Sequence, residues 1–251
     1  MLPPYSSAMK SGAESHDRPR LTAGAKTIRV LLFCACAWAA IAAGKSDLGF
    51  TSQLTAGLVS VYSKLFGAGV RERLASWVEI ARVEKSAPRM RRLIQSPASD
   101  LDALQVVNTF FNRITYMTDA VHWSAEDYWA TPAELVGSNG GDCEDFSIAK
   151  YFLLKEVGVP VERLRITYVK ALKLNQAHMV LAYYALPGSE PLILDNLEDR
   201  VRAASERPDL VPVYSFNDDD VVLVRDTRKS NPQQIRAWRE LLIKLEAETR
   251  L

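Results

Sequence analysis

The hydrophobic period of this chain changes once, at Pro160, and that change restricts the fold more than any other feature. Before it, apolar residues recur at helical spacing; after it, they alternate. Leu54, Leu58, Val61 and Leu65 form one helical stripe, and Val70, Leu74, Trp77, Val78 and Ala81 form a second. Gly67 and Gly69 mark the break between them. A third stripe, Leu101, Leu104, Val107, Phe110, Phe111 and Ile114, follows a cap at Ser99 or Asp100. Thr131-Pro132-Ala133-Glu134 is a capping box with proline at the first helical position, opening a short helix that Gly137 ends. Another helix is expected from Asp142 or Cys143, with Phe146, Ala149, Phe152, Leu153 and Val157 inward. Past Pro160, residues 164–170, 177–184, 191–195 and 221–225 read as strands, and their short polar turns favour antiparallel pairing. A last helix is expected from Asn231-Pro232, reinforced by Gln234, with Ile235, Trp238, Leu241, Leu242 and Leu245 inward. Helices first and strands afterwards predict an α+β domain, its N-terminal helical part packed on an antiparallel sheet.

Residues 1–43 stand apart from this pattern. Arg18, Arg20, Lys26 and Arg29 form a basic flank, and Val30 to Ala43 is an unbroken apolar run of 14 residues ending in a small-residue cleavage pattern, Ala40-Ile41-Ala42. The run is short for a spanning helix of about 20 residues. A cleaved export signal over 1–43 and a domain over 44–251 are therefore expected, with a retained anchor as the competing reading and Met9 as an alternative start. The whole chain carries 31 basic and 30 acidic residues. Cleavage removes more basic than acidic ones, so the mature chain is slightly acidic, with no basic field for nucleic acid. It also removes Cys34 and Cys36. Cys143 is then the single remaining thiol, without a disulfide partner, in a protein sent to an oxidising compartment.

A lone cysteine in Gly140-Gly141-Asp142-Cys143-Glu144-Asp145, at a helix start, has the setting of a nucleophile. Free N–H groups and the positive helix end lower a thiol pKa and can receive an oxyanion. The neighbouring carboxylates act the other way, so either they point away or a cation neutralises them. Asp142, Glu144 and Asp145 are plausible oxygen ligands for Ca²⁺, against the plainer reading of a solvated acidic helix N-terminus. A thiol nucleophile needs a base. His178 lies mid-strand on the face of Val180 and Ala182, and Asp195 closes the next strand, where it can orient an imidazole. His122, in a polar, aromatic-rich loop beside Trp123, ranks second because it has no obvious orienting acid. Core packing is the plainer reading for both the lone histidine and Trp123.

A helix-borne cysteine, a strand histidine and an aspartate on the following strand are in the order of the transglutaminase-like, papain-related superfamily. The stretch from Thr131-Pro132 through Gly140-Gly141-Asp142-Cys143-Glu144-Asp145-Phe146, with Ala177-His178-Met179 and Leu194-Asp195-Asn196, resembles the bacterial transglutaminase-like cysteine proteinases over about residues 50–245. The resemblance implies Cys143 as nucleophile, His178 as general base, Asp195 as orienting acid, Asp142 and Glu144 as calcium ligands, and Asp145 as a helper. It further implies a calcium-dependent periplasmic protease that cuts the N-terminal region of a large surface adhesin and so releases biofilm. It implies as well sequestration by an inner-membrane cyclic-diguanylate receptor. Two other readings stay open on the residues alone: a cross-linking transglutaminase that passes the acyl group to an amine, and a non-catalytic docking module.

Overall fold

A computed structural model describes residues 54–95, 101–223 and 226–251. The expected export signal, Cys34, Cys36 and the expected cap at Ser99 or Asp100 lie outside the described residues. Among the described residues no helix is long and apolar enough to cross a membrane.

The N-terminal half is helical: α1 (Ala56–Phe66), α2 (Val70–Ser86), α3 (Pro88–Gln95) and α4 (Leu101–Phe111) come first. Thr55 caps α1 by accepting the Leu58 N–H at 3.0 Å. The break after α1 falls where the glycines predict it, since Gly67 and Gly69 both hold positive φ. The inward stripe of α1 differs from expectation. Tyr62 is buried with Leu58, whereas Leu65 is 57% exposed. The reason is a polar anchor: the Tyr62 hydroxyl reaches the buried Glu248 carboxylate, which also takes the Thr131 hydroxyl. Leu101, at the end of the third stripe, is likewise exposed, while Leu104, Val107 and Phe111 are fully buried.

A two-stranded parallel ribbon follows, β1 (Thr115–Tyr116) against β2 (Gly140–Gly141), with α5 (Asp119–His122) and α6 (Pro132–Ser138) between them. Helix α7 (Cys143–Glu156) then runs through the centre of the domain. The expected inward positions of α7 are all buried, and so is the whole run from Cys143 to Leu154. It packs on the sheet on one side and on α2, α4 and α6 on others. Each fully buried Phe or Leu there contributes about 1.5–3 kcal/mol.

The sheet has seven strands in the order β6-β5-β4-β3-β7-β8-β9, every neighbouring pair antiparallel. These are β3 (Leu164–Ala171), β4 (Gln176–Tyr183), β5 (Leu192–Leu194), β6 (Arg202–Ala203), β7 (Leu210–Phe216), β8 (Val221–Leu223) and β9 (Asp226–Ser230). Four of them overlap the predicted strands. The sequence reading misses β7 because Pro212 breaks its pattern. Pro212 pairs with Val169 at a register shift that leaves Val213 of β7 unpaired, the kind of irregularity that admits proline inside a sheet. Met179, Leu181 and Tyr183 of β4 face the main core, while Val180 and Ala182 join a small second cluster with Val169 and Ile193.

Helix α8 (Arg236–Glu248) closes the domain. It begins later than expected, because Asn231 caps a short 3₁₀ turn over Pro232–Gln234, accepting the Gln233 N–H at 2.8 Å. Trp238 of α8 is fully buried, stacked on Phe152 at 5.9 Å and edge-on to Phe216 at 5.3 Å.

Candidate active site

The turn before α7 is fixed from several sides. The α6 capping box is present as predicted: Thr131 Oγ1 accepts the Glu134 N–H at 3.1 Å, and Glu134 accepts the Thr131 N–H at 2.8 Å. The helix runs one residue past Gly137 and stops where Asn139 takes a left-handed conformation, φ 61°. Gly141 leaves room for its neighbours: a Cβ on it would stand 2.6 Å from both Asp145 Oδ2 and Leu135 Cδ1, so one of those side chains would have to shift. Asp145 occupies that space because it reaches back from the third position of α7, accepting the Asp142 N–H at 3.2 Å and the Ala130 N–H at 2.7 Å.

Cys143 is the first residue of α7 and only 5% exposed. Its thiol donates to Glu144 Oε2 at 3.0 Å. Burial, then the charges of Glu144 and Asp142, push the thiol well above its ordinary pKa, and the Met179 N–H opposes them. The conflict read from the sequence is therefore real at Glu144, which takes the thiol's hydrogen bond, with Asp142 adding its charge.

Those carboxylates gather in a group that sequence spacing does not disclose. One ligand oxygen each from Asp119, Asp142 and Glu144, all buried, lie within 4.8 Å of one another. Burial raises Asp119 to about 6, against the Tyr128 N–H it accepts at 2.5 Å. Burial likewise raises Asp142 to about 7. Oδ1 of Asp119 and Oδ1 of Asp142 are buried with no hydrogen-bond partner. Two orphaned carboxylate oxygens in an all-oxygen cluster fit a hard divalent cation, and Ca²⁺ matches that donor set. Asp119 opens the single-turn α5, 23 residues before Asp142, and no local motif marks it. Asp145 stands outside this group, its two oxygens used by the amides of Ala130 and Asp142.

His178 and Asp195 come together as the sequence order suggests. His178 Nε2 donates to Asp195 Oδ1 at 2.8 Å, and both side chains are almost wholly buried. Cross-strand pairing explains the meeting: Leu181 pairs with Leu194, which sets Asp195 diagonal to His178 on one face. With Nε2 engaged, Nδ1 is the ring nitrogen left for other chemistry. The thiol itself is bonded to Glu144, not to His178. The two are brought near one another by packing of α7 on β4, and the N–H of Met179, next along β4, acts to lower the thiol pKa.

Asp195 has further partners. Its Oδ1 accepts the Leu197 N–H at 3.0 Å, and Oδ2 lies 2.9 Å from Arg207 Nη1. Its backbone carbonyl accepts from Asn112 Nδ2 at 2.9 Å, and Asn112 in turn accepts from the buried Lys150 at 2.8 Å. Burial alone would raise the Asp195 pKa; His178, the Leu197 N–H and Arg207 outweigh it and hold it at about 2. Burial also lowers Lys150 to about 7. Arg207 and Asn112 are partners that the sequence reading does not find: Arg207 lies in a segment with no motif, and Asn112 is a polar position inside the third helical stripe.

His122 has a structural explanation. Its Nε2 is 2.8 Å from Ser138 Oγ, and its ring meets Trp123 edge-on at 4.4 Å. Trp123 packs against Phe66 and Tyr128 as well, so the aromatic loop is a packed cluster.

The family model of the bacterial transglutaminase-like cysteine proteinases matches residues 79–210. Among solved structures, Legionella pneumophila LapG is 40% identical, with a TM-score of 0.62 over 75% of this chain and 96% of LapG. The EGTA-treated LapG gives 39% identity and a TM-score of 0.63 over 75% and 96%. The calcium-bound LapG gives 42% identity and 0.60 over 74% and 98%. Comparison with curated proteins gives no match.

Proposed function

The chain belongs to the bacterial transglutaminase-like cysteine proteinase family, and on that premise we propose that it is a calcium-dependent endopeptidase with Cys143 as nucleophile, His178 as base and Asp195 as orienting acid. The observation that carries the assignment is the buried His178–Asp195 pair at 2.8 Å, with His178 on the strand that packs against the helix opened by Cys143. A docking surface makes no demand for such a pair.

The chemistry follows from the geometry. His178 Nδ1 takes the thiol proton, because Nε2 is committed to Asp195. The thiolate attacks the peptide carbonyl carbon, and the first-turn N–H groups of α7 face the oxygen as it gains charge. Asp195 stabilises the imidazolium formed in that step. His178 then protonates the leaving amine, giving an acyl-enzyme on Cys143. Finally His178 deprotonates a water that attacks the acyl carbon; the carbon–sulfur bond breaks, the new carboxyl end leaves, and His178 returns the proton to the sulfur. Asp119, Asp142 and Glu144 would hold Ca²⁺, whose charge offsets theirs and takes up the carboxylate that otherwise accepts from the Cys143 thiol.

The substrate in this reading is the N-terminal region of a large surface adhesin, reached in the periplasm after export on residues 1–43. An inner-membrane cyclic-diguanylate receptor sequesters the enzyme when the second messenger is abundant. LapG crystallised in calcium-bound form supports the metal, and the family supports peptide hydrolysis. The test is incubation with the N-terminal region of a large adhesin from the same genome, with Ca²⁺ or with EGTA, a primary amine being present in both. Cleavage to free carboxyl ends in Ca²⁺ alone is expected. Mainly amide-linked product would favour the cross-linking transglutaminase instead, and an uncut adhesin would remove the substrate assignment.

A further inference from the structure

Asp195 is held from behind by a charge that no step of the chemistry consumes. The chain leaves β6 at one sheet edge and crosses to β7 by way of a 3₁₀ turn, Ala204–Glu206. That crossing starts where β4 finishes, since Ala203 pairs with Leu192 and Leu192 with Tyr183, and runs to the end where β4 begins, close to His178. The register fixes this: Leu210 pairs with Ala171, and Ala171 pairs with Gln176, the first residue of β4. The Leu172 N–H donates to the Asp209 carbonyl at 2.8 Å, tying the crossing to the β3–β4 hairpin.

Arg207 sits in this crossing, buried at 9% exposure. Its guanidinium is used on two edges. Nε and Nη2 donate to Asp209 Oδ1 and Oδ2 at 3.1 and 3.0 Å, a two-point grip that fixes the plane of the group. Nη1 is thereby set 2.9 Å from Asp195 Oδ2, in a charge contact that is not an aligned hydrogen bond. Both Asp195 oxygens are now accounted for: Oδ1 by His178 and Leu197, Oδ2 by Arg207.

We propose that Arg207 is a positioning residue for the reaction, fixing the orientation of the Asp195 carboxylate so that Oδ1 stays on His178 Nε2, with Asp209 fixing Arg207 in turn. This rests on the assignment of His178 and Asp195 as base and orienting acid. Without the guanidinium, Oδ2 is a buried anion edge with no partner, and the carboxylate can turn or take a proton to satisfy it. Either change weakens its hold on the imidazole. Lysine keeps the charge but cannot grip Asp209 at two points while reaching Asp195.

The test compares Arg207→Met, Arg207→Lys, Asp195→Asn and the Arg207→Met/Asp195→Asn double variant, with calcium saturating and the adhesin N-terminal region as substrate. Circular dichroism establishes that each is folded. Arg207→Met should lower kcat roughly ten- to a hundred-fold while KM changes by less than about threefold. The downfield NMR resonance of the His178 Nε2 proton should weaken or disappear in it, which a residue serving stability alone would not cause in a folded protein. Arg207→Lys should recover part of both signals. In the Asp195→Asn background, Arg207→Met should cost little more, because its effect passes through Asp195. A folded Arg207→Met enzyme with wild-type kcat and an intact resonance overturns the proposal, as does a fully additive double variant. Should Arg207→Met fail to fold, Arg207→Lys and Asp209→Asn decide, and wild-type kcat in both overturns it. Wild-type activity in Asp195→Asn defeats the triad assignment instead, and the role of Arg207 falls with it.

Discussion

The Cys143 thiol donates to Glu144 Oε2 at 3.0 Å, so the residue next to the proposed nucleophile keeps it protonated. At pH 8 in EGTA, alkylation of Cys143 by iodoacetamide should therefore be slow, and Ca²⁺ should accelerate it at least about tenfold, one pKa unit of relief or more. Glu144→Gln removes the charge that raises the thiol pKa. That variant should be alkylated faster than wild type in EGTA and respond little to Ca²⁺. Peptide mapping at Cys143 reads both. Equal alkylation rates in all four samples would remove Glu144 from the control of the thiol.

Asp119 and Asp145 should separate cleanly by mutation. Asp119 contributes to the buried oxygen cluster, so Asp119→Asn should weaken calcium binding by about tenfold or more and leave activity recoverable at higher Ca²⁺. Asp145 bonds two amides, so Asp145→Ala should cost about 1–2 kcal/mol of stability. Its calcium affinity should stay within about threefold of wild type, well short of the loss expected for a ligand. Calorimetric titration with Ca²⁺ and chemical unfolding measure the two effects. A large affinity loss in Asp145→Ala would return that residue to the ligand set.

Glu248 gives a pH dependence unrelated to the metal cluster. Burial raises it to about 7, against the hydroxyls of Thr131 and Tyr62 that it accepts. A carboxyl raised in the folded state binds its proton more tightly there than in the unfolded chain. Its contribution is fully present below the unfolded pKa and is lost as pH rises through about 7. Unfolding free energy measured in urea at saturating Ca²⁺ should thus fall between pH 5 and 8 by on the order of 2 kcal/mol more in wild type than in Glu248→Gln. Parallel curves for the two proteins would mean that Glu248 does not titrate in that window.

Gly141 supplies a steric prediction. An alanine Cβ there would press on Asp145 Oδ2 and Leu135 Cδ1 at 2.6 Å, so Gly141→Ala should destabilise the protein by about 1–3 kcal/mol and loosen the turn that carries Cys143. Thermal unfolding and the Cys143 alkylation rate should change together. An unchanged melting temperature would mean that the turn yields freely.

Local signals made much of this legible in the sequence. The Thr131 capping box, the start of α7 and the alternation of β3 and β4 depend on residues a few positions apart, and each is found where the pattern predicts it. The pairing of His178 with Asp195 follows from strand order, because neighbouring antiparallel strands bring their ends together. What stayed hidden depends on long-range contact. Tyr62 displaces Leu65 from the core only because Glu248, 186 residues away, receives its hydroxyl. Asp119, opening the single-turn α5, and Arg207, just past a 3₁₀ turn, lie in segments too short for any periodicity, and their partners are set by tertiary folding. Pro212 concealed β7 because the bulge beside it, where Val213 is left unpaired, is set by pairing with β3 and not by local sequence.

The central claim is that peptide cleavage passes through the Cys143 sulfur. Its most direct test is cleavage of the adhesin N-terminal region at saturating Ca²⁺ by wild type and by Cys143→Ala, with matched circular dichroism spectra. The predicted result is a fall on the order of a thousandfold or more in Cys143→Ala, with an acyl adduct on Cys143 recoverable from acid-quenched wild-type reactions. Cleavage by Cys143→Ala within about tenfold of wild type would contradict it.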